Sequence, residues 1–166
     1  MSSEFVNGTN LWPCGSRESV PSRTMTTYPY YNPWEAHCRS LLENHHELEA
    51  LCVCDHENHI LGAAYTRSEF ENLSAVESYQ VKPLVMLLGV AKPGKSSVYF
   101  LGDHYLVVHT DKESIAAKSG RKSLFLRTTS SLYVIGLNME TDGQGKHDGG
   151  QDAMCAIHDY FEAADF

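Results

Sequence analysis

Val98-Tyr-Phe-Leu-Gly-Asp-His-Tyr-Leu-Val-Val-His109 is the stretch whose reading decides the fold. Two runs rich in aromatic and β-branched residues flank Gly102-Asp103. Glycine in a short turn supplies positive φ without steric cost, so the stretch predicts a β-hairpin of fixed register. After a polar loop, Ser123-Leu-Phe-Leu-Arg127 continues the pattern, and a Thr/Ser turn leads to Leu132-Tyr-Val-Ile-Gly136. Four short strands between Val98 and Asn138, with no room for a helix among them, predict an antiparallel meander. Lys118, Arg121 and Lys122 crowd one loop of that reading.

Working outward, Leu48 to Cys54 and His59 to Tyr65 bracket the polar Asp55-His-Glu-Asn58 and predict a second hairpin. Before it, Asn32 can cap a helix and Pro33 suits a first helical turn, where a missing N–H costs nothing. Trp34, Cys38, Leu41 and Leu42 then form one apolar face, and His45-His46 closes the helix. Val76 to Val90 also has helical spacing, with Pro83 predicting a kink or a late start and Lys92-Pro-Gly-Lys95 an end. A glycine-rich loop from Asp142 to Gly150 leads to a last helix that turns Met154, Ile157, Tyr160 and Phe161 inward. The order helix, hairpin, helix, four strands, helix gives an α+β fold: a central antiparallel sheet with helices segregated outside it.

Composition narrows the function. A chain of 166 residues suits one domain, here 32–166, preceded by a flexible extension over 1–31 rich in Ser, Thr, Gly, Asn and Pro. A net charge of −8 argues against general nucleic-acid binding, which needs a basic face. No apolar run reaches the roughly 18 to 20 residues that span a bilayer, and the polar start lacks the apolar core of a secretory signal, so the chain is expected in the cytosol. Five cysteines, an odd number at irregular spacing, predict free thiols, with Cys52 and Cys54 filling the core from one strand face.

Nine histidines raise the question of an enzyme. Cys52, Cys54 and His56 stand at i, i+2 and i+4, without the tight Cys-x-x-Cys turn of zinc sites. His147-Asp148 has no nucleophile elbow or third member. The reading is therefore of a protein that binds rather than catalyses, without metal or cofactor.

Four pieces carry a resemblance. Val98-Tyr-Phe-Leu-Gly-Asp-His-Tyr-Leu-Val-Val108 resembles a Leu-Tyr-Leu-Gly-Gly-Thr-Lys-Tyr-Met-Val-Ile run, and Leu132-Tyr-Val-Ile-Gly136 an Ala-Leu-Ile-Ile-Gly strand. His158-Asp-Tyr-Phe161 resembles a Gly-Asp-Tyr-Leu near the C-terminus, and Trp34 stands at the place of an N-terminal Trp. The family with these features, in this order, is the profilins. The likeness covers Pro33 to Phe166.

The resemblance implies N- and C-terminal helices on one sheet face and a further helix on the other. It implies a monomeric, cytoskeletal protein that binds monomeric actin and regulates its polymerisation. By the family's pattern His104, His109, Arg127 and His147 would face actin. Trp34, His37, Tyr160 and Phe161 would line a groove for proline-rich segments, which arrive as extended polyproline II helices and lose little entropy on docking. Lys118, Arg121, Lys122 and Arg127 would meet phosphoinositides. Some positions depart from the pattern. His37 replaces a Tyr, no second Trp stands near Leu61-Gly62, and His104 and His109 replace cations. Histidine, with an ordinary pKa of about 6.5, is mostly neutral in the cytosol, so weaker and pH-sensitive actin binding is expected. The alternative class is a related α+β adaptor or dimerisation module without actin binding.

Overall fold

Seven antiparallel strands form one sheet in the order β2-β1-β7-β6-β5-β4-β3. They are β1 (Ala50–Asp55), β2 (Ile60–Tyr65), β3 (Ser97–Phe100), β4 (Asp103–Thr110), β5 (Ser114–Ser119), β6 (Lys122–Thr128) and β7 (Leu132–Met139). Three helices, α1 (Pro33–Asn44), α2 (Ser78–Val85) and α3 (His147–Ala163), and a 3₁₀ segment, Ser68–Ala75, complete the fold. This computed structural model describes residues 31–140 and 147–166. The chain divides into two units, Met1–Tyr31 and Asn32–Phe166, and every element above belongs to the second. The extension expected over 1–31, up to Tyr31, lies outside the described residues, as does the part of the glycine-rich loop before His147.

The meander has five strands, one more than its sequence suggests. Ser114–Ser119 is the addition, because Ile115-Ala-Ala117 between polar residues reads weakly as a strand. Its small side chains are buried on both faces between β4 and β6, which is what a central strand requires. Lys118 therefore stands on β5 and Lys122 on β6, with Arg121 in the turn between them. The first hairpin also turns one residue earlier than expected. Phe100 pairs with Asp103, leaving Leu101 and Gly102 as central residues with φ of 52° and 89°. Positive φ at both positions matches the right-handed twist of the flanking strands.

Asn32 accepts from Trp34 N at 2.9 Å and Glu35 N at 3.3 Å, and its Nδ2 donates to Leu61 O at 3.1 Å. One side chain thus caps α1 and ties its start to β2. Helix α2 runs through Pro83 and stops at Val85, well before Lys92-Pro-Gly-Lys95. The 3₁₀ segment before it has no counterpart in the sequence reading.

Each sheet face carries its own core. On one, Val98, Phe100, Tyr105, Val107, Leu124 and Leu126 pack with Phe70 and Leu73 of the 3₁₀ segment and Val81 and Leu84 of α2. On the other, Leu51, Val53, Phe125 and Val134 pack against Cys38 and Leu42 of α1 and Met154, Ile157 and Phe161 of α3. The terminal helices therefore share a face, and α2 lies on the opposite one. Two glycines permit the close approach. A Cβ at Gly62 would lie 2.7 Å from the Trp34 Cβ and the backbone of α1, and one at Gly136 would lie 2.6 Å from Met154 Sδ. No helix among the described residues is long and apolar enough to cross a membrane.

Gly62→Ala should lift α1 from the sheet and lower stability by about 1–3 kcal/mol, the usual cost of overpacking. A urea midpoint equal to that of the wild-type chain would show that the helix is not seated as described.

Candidate functional site

The ends of α1 and α3 bring five rings together. Trp34 lies 6.2 Å from Phe161 and meets Phe166 edge-on at 5.2 Å, and His37 lies 5.2 Å from Tyr160 and 5.7 Å from Phe161. The four residues expected to line a groove between the terminal helices are thus neighbours, but in different roles. Phe161 is 1% exposed and forms a floor, whereas Tyr160 is 45% exposed and stands on the rim rather than facing inward as its spacing suggests. Phe166 is a fifth member that sequence reasoning missed. It follows Phe161 by five residues, a spacing that leaves the helical face, and a left-handed Asp165 at φ 68° turns the chain back.

His37 is half-buried among these rings, and burial lowers its pKa from the ordinary 6.5. A neutral imidazole is therefore favoured in the cluster, and it can stack and hydrogen-bond where a Tyr would present a phenol.

Helix α3 covers only part of its sheet face. Register places Ser97, Leu106, Lys118, Ser123 and Asn138 in one row across β3 to β7, and His109, Ala116, Phe125 and Gly136 in the next. Phe125 and Asn138 lie under Gly150 of α3, so the rows are covered at the β6–β7 end. Toward β3 they are open: Tyr99 is 71% exposed, Leu106 43% and Val108 46%. The three residues were missed in the sequence, although the signal was there, since a strand that is apolar at every position must present apolar groups to both faces.

Of the expected actin-facing residues, His104 and His109 stand on the same strand as this patch. His104 stacks on Tyr99 at 4.4 Å and its Nε2 lies 2.8 Å from Ser97 Oγ, so it is held within the apolar patch. His109 is exposed in the second row, next to a bulge between Val107 and His109 that carries Val108. Arg127 is half-buried on β6 and its Nε has no hydrogen-bond partner among the described residues. Asp111 is near it. Burial would raise the Asp111 carboxyl, but donors from Glu113 N and Ser114 Oγ, with the Arg127 charge, hold it below its usual value. His147 is the first residue of α3.

The four cations expected at phosphoinositides are not gathered into one patch. Lys118 pairs with Glu140 at 3.2 Å, and Arg121 donates to the Glu140 carbonyl at 2.9 Å. Lys122 pairs with Asp103 at 2.7 Å and lies over the Phe70 ring, on the α2 side of the sheet. Arg127 belongs to the opposite face, in register with Val134 and Val53 of the terminal-helix core.

The three buried thiols among the described residues are unsuited to catalysis. Cys38, Cys52 and Cys54 are buried, and burial pushes Cys38 up to about 12, far from a thiolate at neutral pH. His56 lies on the exposed turn, bonded to Thr128 Oγ1 and Leu132 O, away from the interior pair Cys52 and Cys54. A cleft of about 170 Å³ under the start of α1, lined by Asn32, Glu35, Gly62 and Leu73, touches neither surface described above.

Paired terminal helices with an aromatic cluster at their ends, beside a half-open sheet face, define a small binding protein. The profilin family model matches residues 32–164, and the chain belongs to the profilin family, which is non-enzymatic. Acanthamoeba castellanii profilin IB has a TM-score of 0.66 at 16% identity, covering 80% of this chain and 99% of that one. A Schizosaccharomyces pombe profilin has a TM-score of 0.64 at 13% identity, with the same coverage. LokiProfilin2, solved in complex with rabbit actin, has a TM-score of 0.50 at 14% identity, covering 73% and 92%. No curated protein matches by sequence.

The lowered His37 pKa sets the sign of a pH effect. The unfolded chain takes up the proton at about 6.5 and the folded one only at lower pH, so stability is lost as pH falls through 6.5. His37→Phe should therefore lose less stability than the wild-type chain between pH 7.5 and 5.5. Equal losses in thermal melts would remove His37 from the buried cluster.

Proposed function

We propose that this profilin binds monomeric actin through the open half of the sheet beside α3, and proline-rich segments through the aromatic cluster between α1 and α3. The observation that carries the first part is the uncovered patch of Tyr99, Leu106 and Val108, with His104 and His109 on the same strand, on a chain that matches the family over residues 32–164. A partly apolar centre with a polar rim is the usual anatomy of a protein interface. A related fold, LokiProfilin2, was solved with actin, which supports the choice of partner. Binding is stoichiometric and keeps actin from nucleating. The cluster of Trp34, His37, Tyr160 and Phe166 suits a polyproline II ligand, whose rings stack on exposed aromatic faces. The four cations expected at phosphoinositides are split between the two sheet faces, which does not favour a single headgroup site.

A second reading, a docking module without actin binding, has one observation in its favour. The outward side of α2 and the turns after it exposes Tyr79 at 70%, Met86 at 65% and Val90 at 68%. That reading expects self-association, the first a monomer that binds actin one to one.

The wild-type chain should slow spontaneous polymerisation of pyrene-labelled actin at tens of micromolar or below, about the weak end of useful association. Leu106→Asp and Tyr99→Ala should each weaken the effect about tenfold, as for residues central to an interface. No inhibition by the wild-type chain, together with a dimer in sedimentation, would favour the docking module.

A further inference from the structure

Three donors of one turn converge on a single backbone oxygen, that of Phe166. Thr129 Oγ1, Ser131 N and Ser131 Oγ donate to Phe166 O at 2.6, 2.6 and 2.7 Å. Beside them, Ser130 donates to the Glu162 carboxylate from its N at 3.0 Å and its Oγ at 3.1 Å. Thr129, Ser130 and Ser131 join β6 to β7, so the sheet grips the far end of α3 at two points. One backbone oxygen thus takes hydrogen bonds from a side-chain hydroxyl, a backbone N–H and a second hydroxyl of the same turn.

The local sequence alone would not send Phe166 to that place. Helix α3 ends with Phe166 N bonded to Phe161 O at 2.9 Å and Asp165 N to Glu162 O at 3.1 Å, the bonding pattern of a Schellman motif. Such a motif needs a left-handed residue, usually Gly, and here it is Asp165. The contact between the Phe161 and Phe166 rings, at 6.4 Å, is the apolar pair that accompanies the motif. Because the reversing residue is not glycine, the reversal is strained unless something holds the residue that follows. The turn does so, and the Phe166 ring then rests against Trp34.

We infer that the Thr129–Ser131 turn is a latch that positions the Phe166 wall of the aromatic groove and so sets the groove's affinity for proline-rich segments. The inference rests on the groove reading proposed above. Thr129, Ser130 and Ser131 are positioning residues: they act on the ligand only through Phe166 and Glu162. A latch remote from the ligand also lets the groove open without disturbing α1, whose cap is tied to β2.

The test uses the full chain with Trp12→Phe, so that Trp34 is the only tryptophan. Ser131→Ala should make Trp34 more accessible to acrylamide, raising its quenching constant about twofold, and should weaken binding of a polyproline peptide about fivefold, the equilibrium worth of one hydrogen bond. Ser131→Thr keeps a hydroxyl and should restore both. Unchanged quenching and affinity in folded Ser131→Ala overturn the latch. If that variant does not fold, Ser130→Ala, which removes only the hydroxyl bond to Glu162, should shift both readouts in the same direction by less, and no shift overturns the inference. A wild-type chain that ignores polyproline, while Ser131→Ala still exposes Trp34, refutes the groove's ligand and leaves the latch standing.

Discussion

Because β1, β5, β6 and β7 bury side chains on both faces, the seven-stranded sheet needs cover on each side. Hydrophobic burial is the dominant favourable term in folding, so this demand decides where the helices go. The 3₁₀ segment and α2 meet it on one face, α1 and α3 on the other. The second pair is too narrow for the sheet it covers. Seven strands present a broader surface than two helices can shield, and the strands left over, β3 and β4, carry Tyr99, Leu106 and Val108 into solvent. Both candidate surfaces arise from that mismatch: one is the seam where the two helices end together, the other is the part of the sheet they fail to reach.

The two surfaces differ in how firmly their groups are held. Rings of the helix-end cluster touch one another and share a buried floor in Phe161. On the open sheet face, His104 is fixed by Tyr99 and Ser97, while His109 stands by a bulge, where strand pairing is locally interrupted. A rigid cluster suits a slender, preformed ligand, and a surface with an irregular strand suits a large partner whose contacts are adjusted residue by residue. His37 adds a constraint of its own, since its charge is disfavoured where it packs among the rings.

Much of this architecture was legible in the sequence, and the parts that were not share a cause. Short apolar runs cut off by turn residues announced β3, β4, β6 and β7, and Asn32-Pro33 announced the start of α1. Strand β5 was hidden because Ile115-Ala-Ala117 owes its place to neighbours on both sides, not to its own preference. The 3₁₀ segment was hidden for a similar reason: Phe70 and Leu73 are held by the core of the α2 face rather than by a helical period. At the candidate sites, the family resemblance named Trp34, His37 and Tyr160, and the fold brings their rings into one cluster. Phe166 and the open patch escaped because each depends on a long-range relation, a chain reversal at Asp165 in one case and the width of a helix pair against a sheet in the other. Lys118 and Lys122, close in sequence, stand on adjacent strands and face opposite sides of the sheet, while Lys118 and Arg121 share Glu140.

Gly62 and Gly136 have a consequence beyond stability. Where each stands, backbone or sulfur atoms of a terminal helix occupy the place of a side chain, so these positions set how deep α1 and α3 sink toward the sheet. The floor of the seam between the helices is part of that same depth. A lineage that exchanged either glycine for a bulkier residue would raise one helix relative to the other and change the girth of ligand that the seam accepts, with every ring in contact with the ligand left unaltered. The width of the seam between the terminal helices is thus set partly in the strands beneath them.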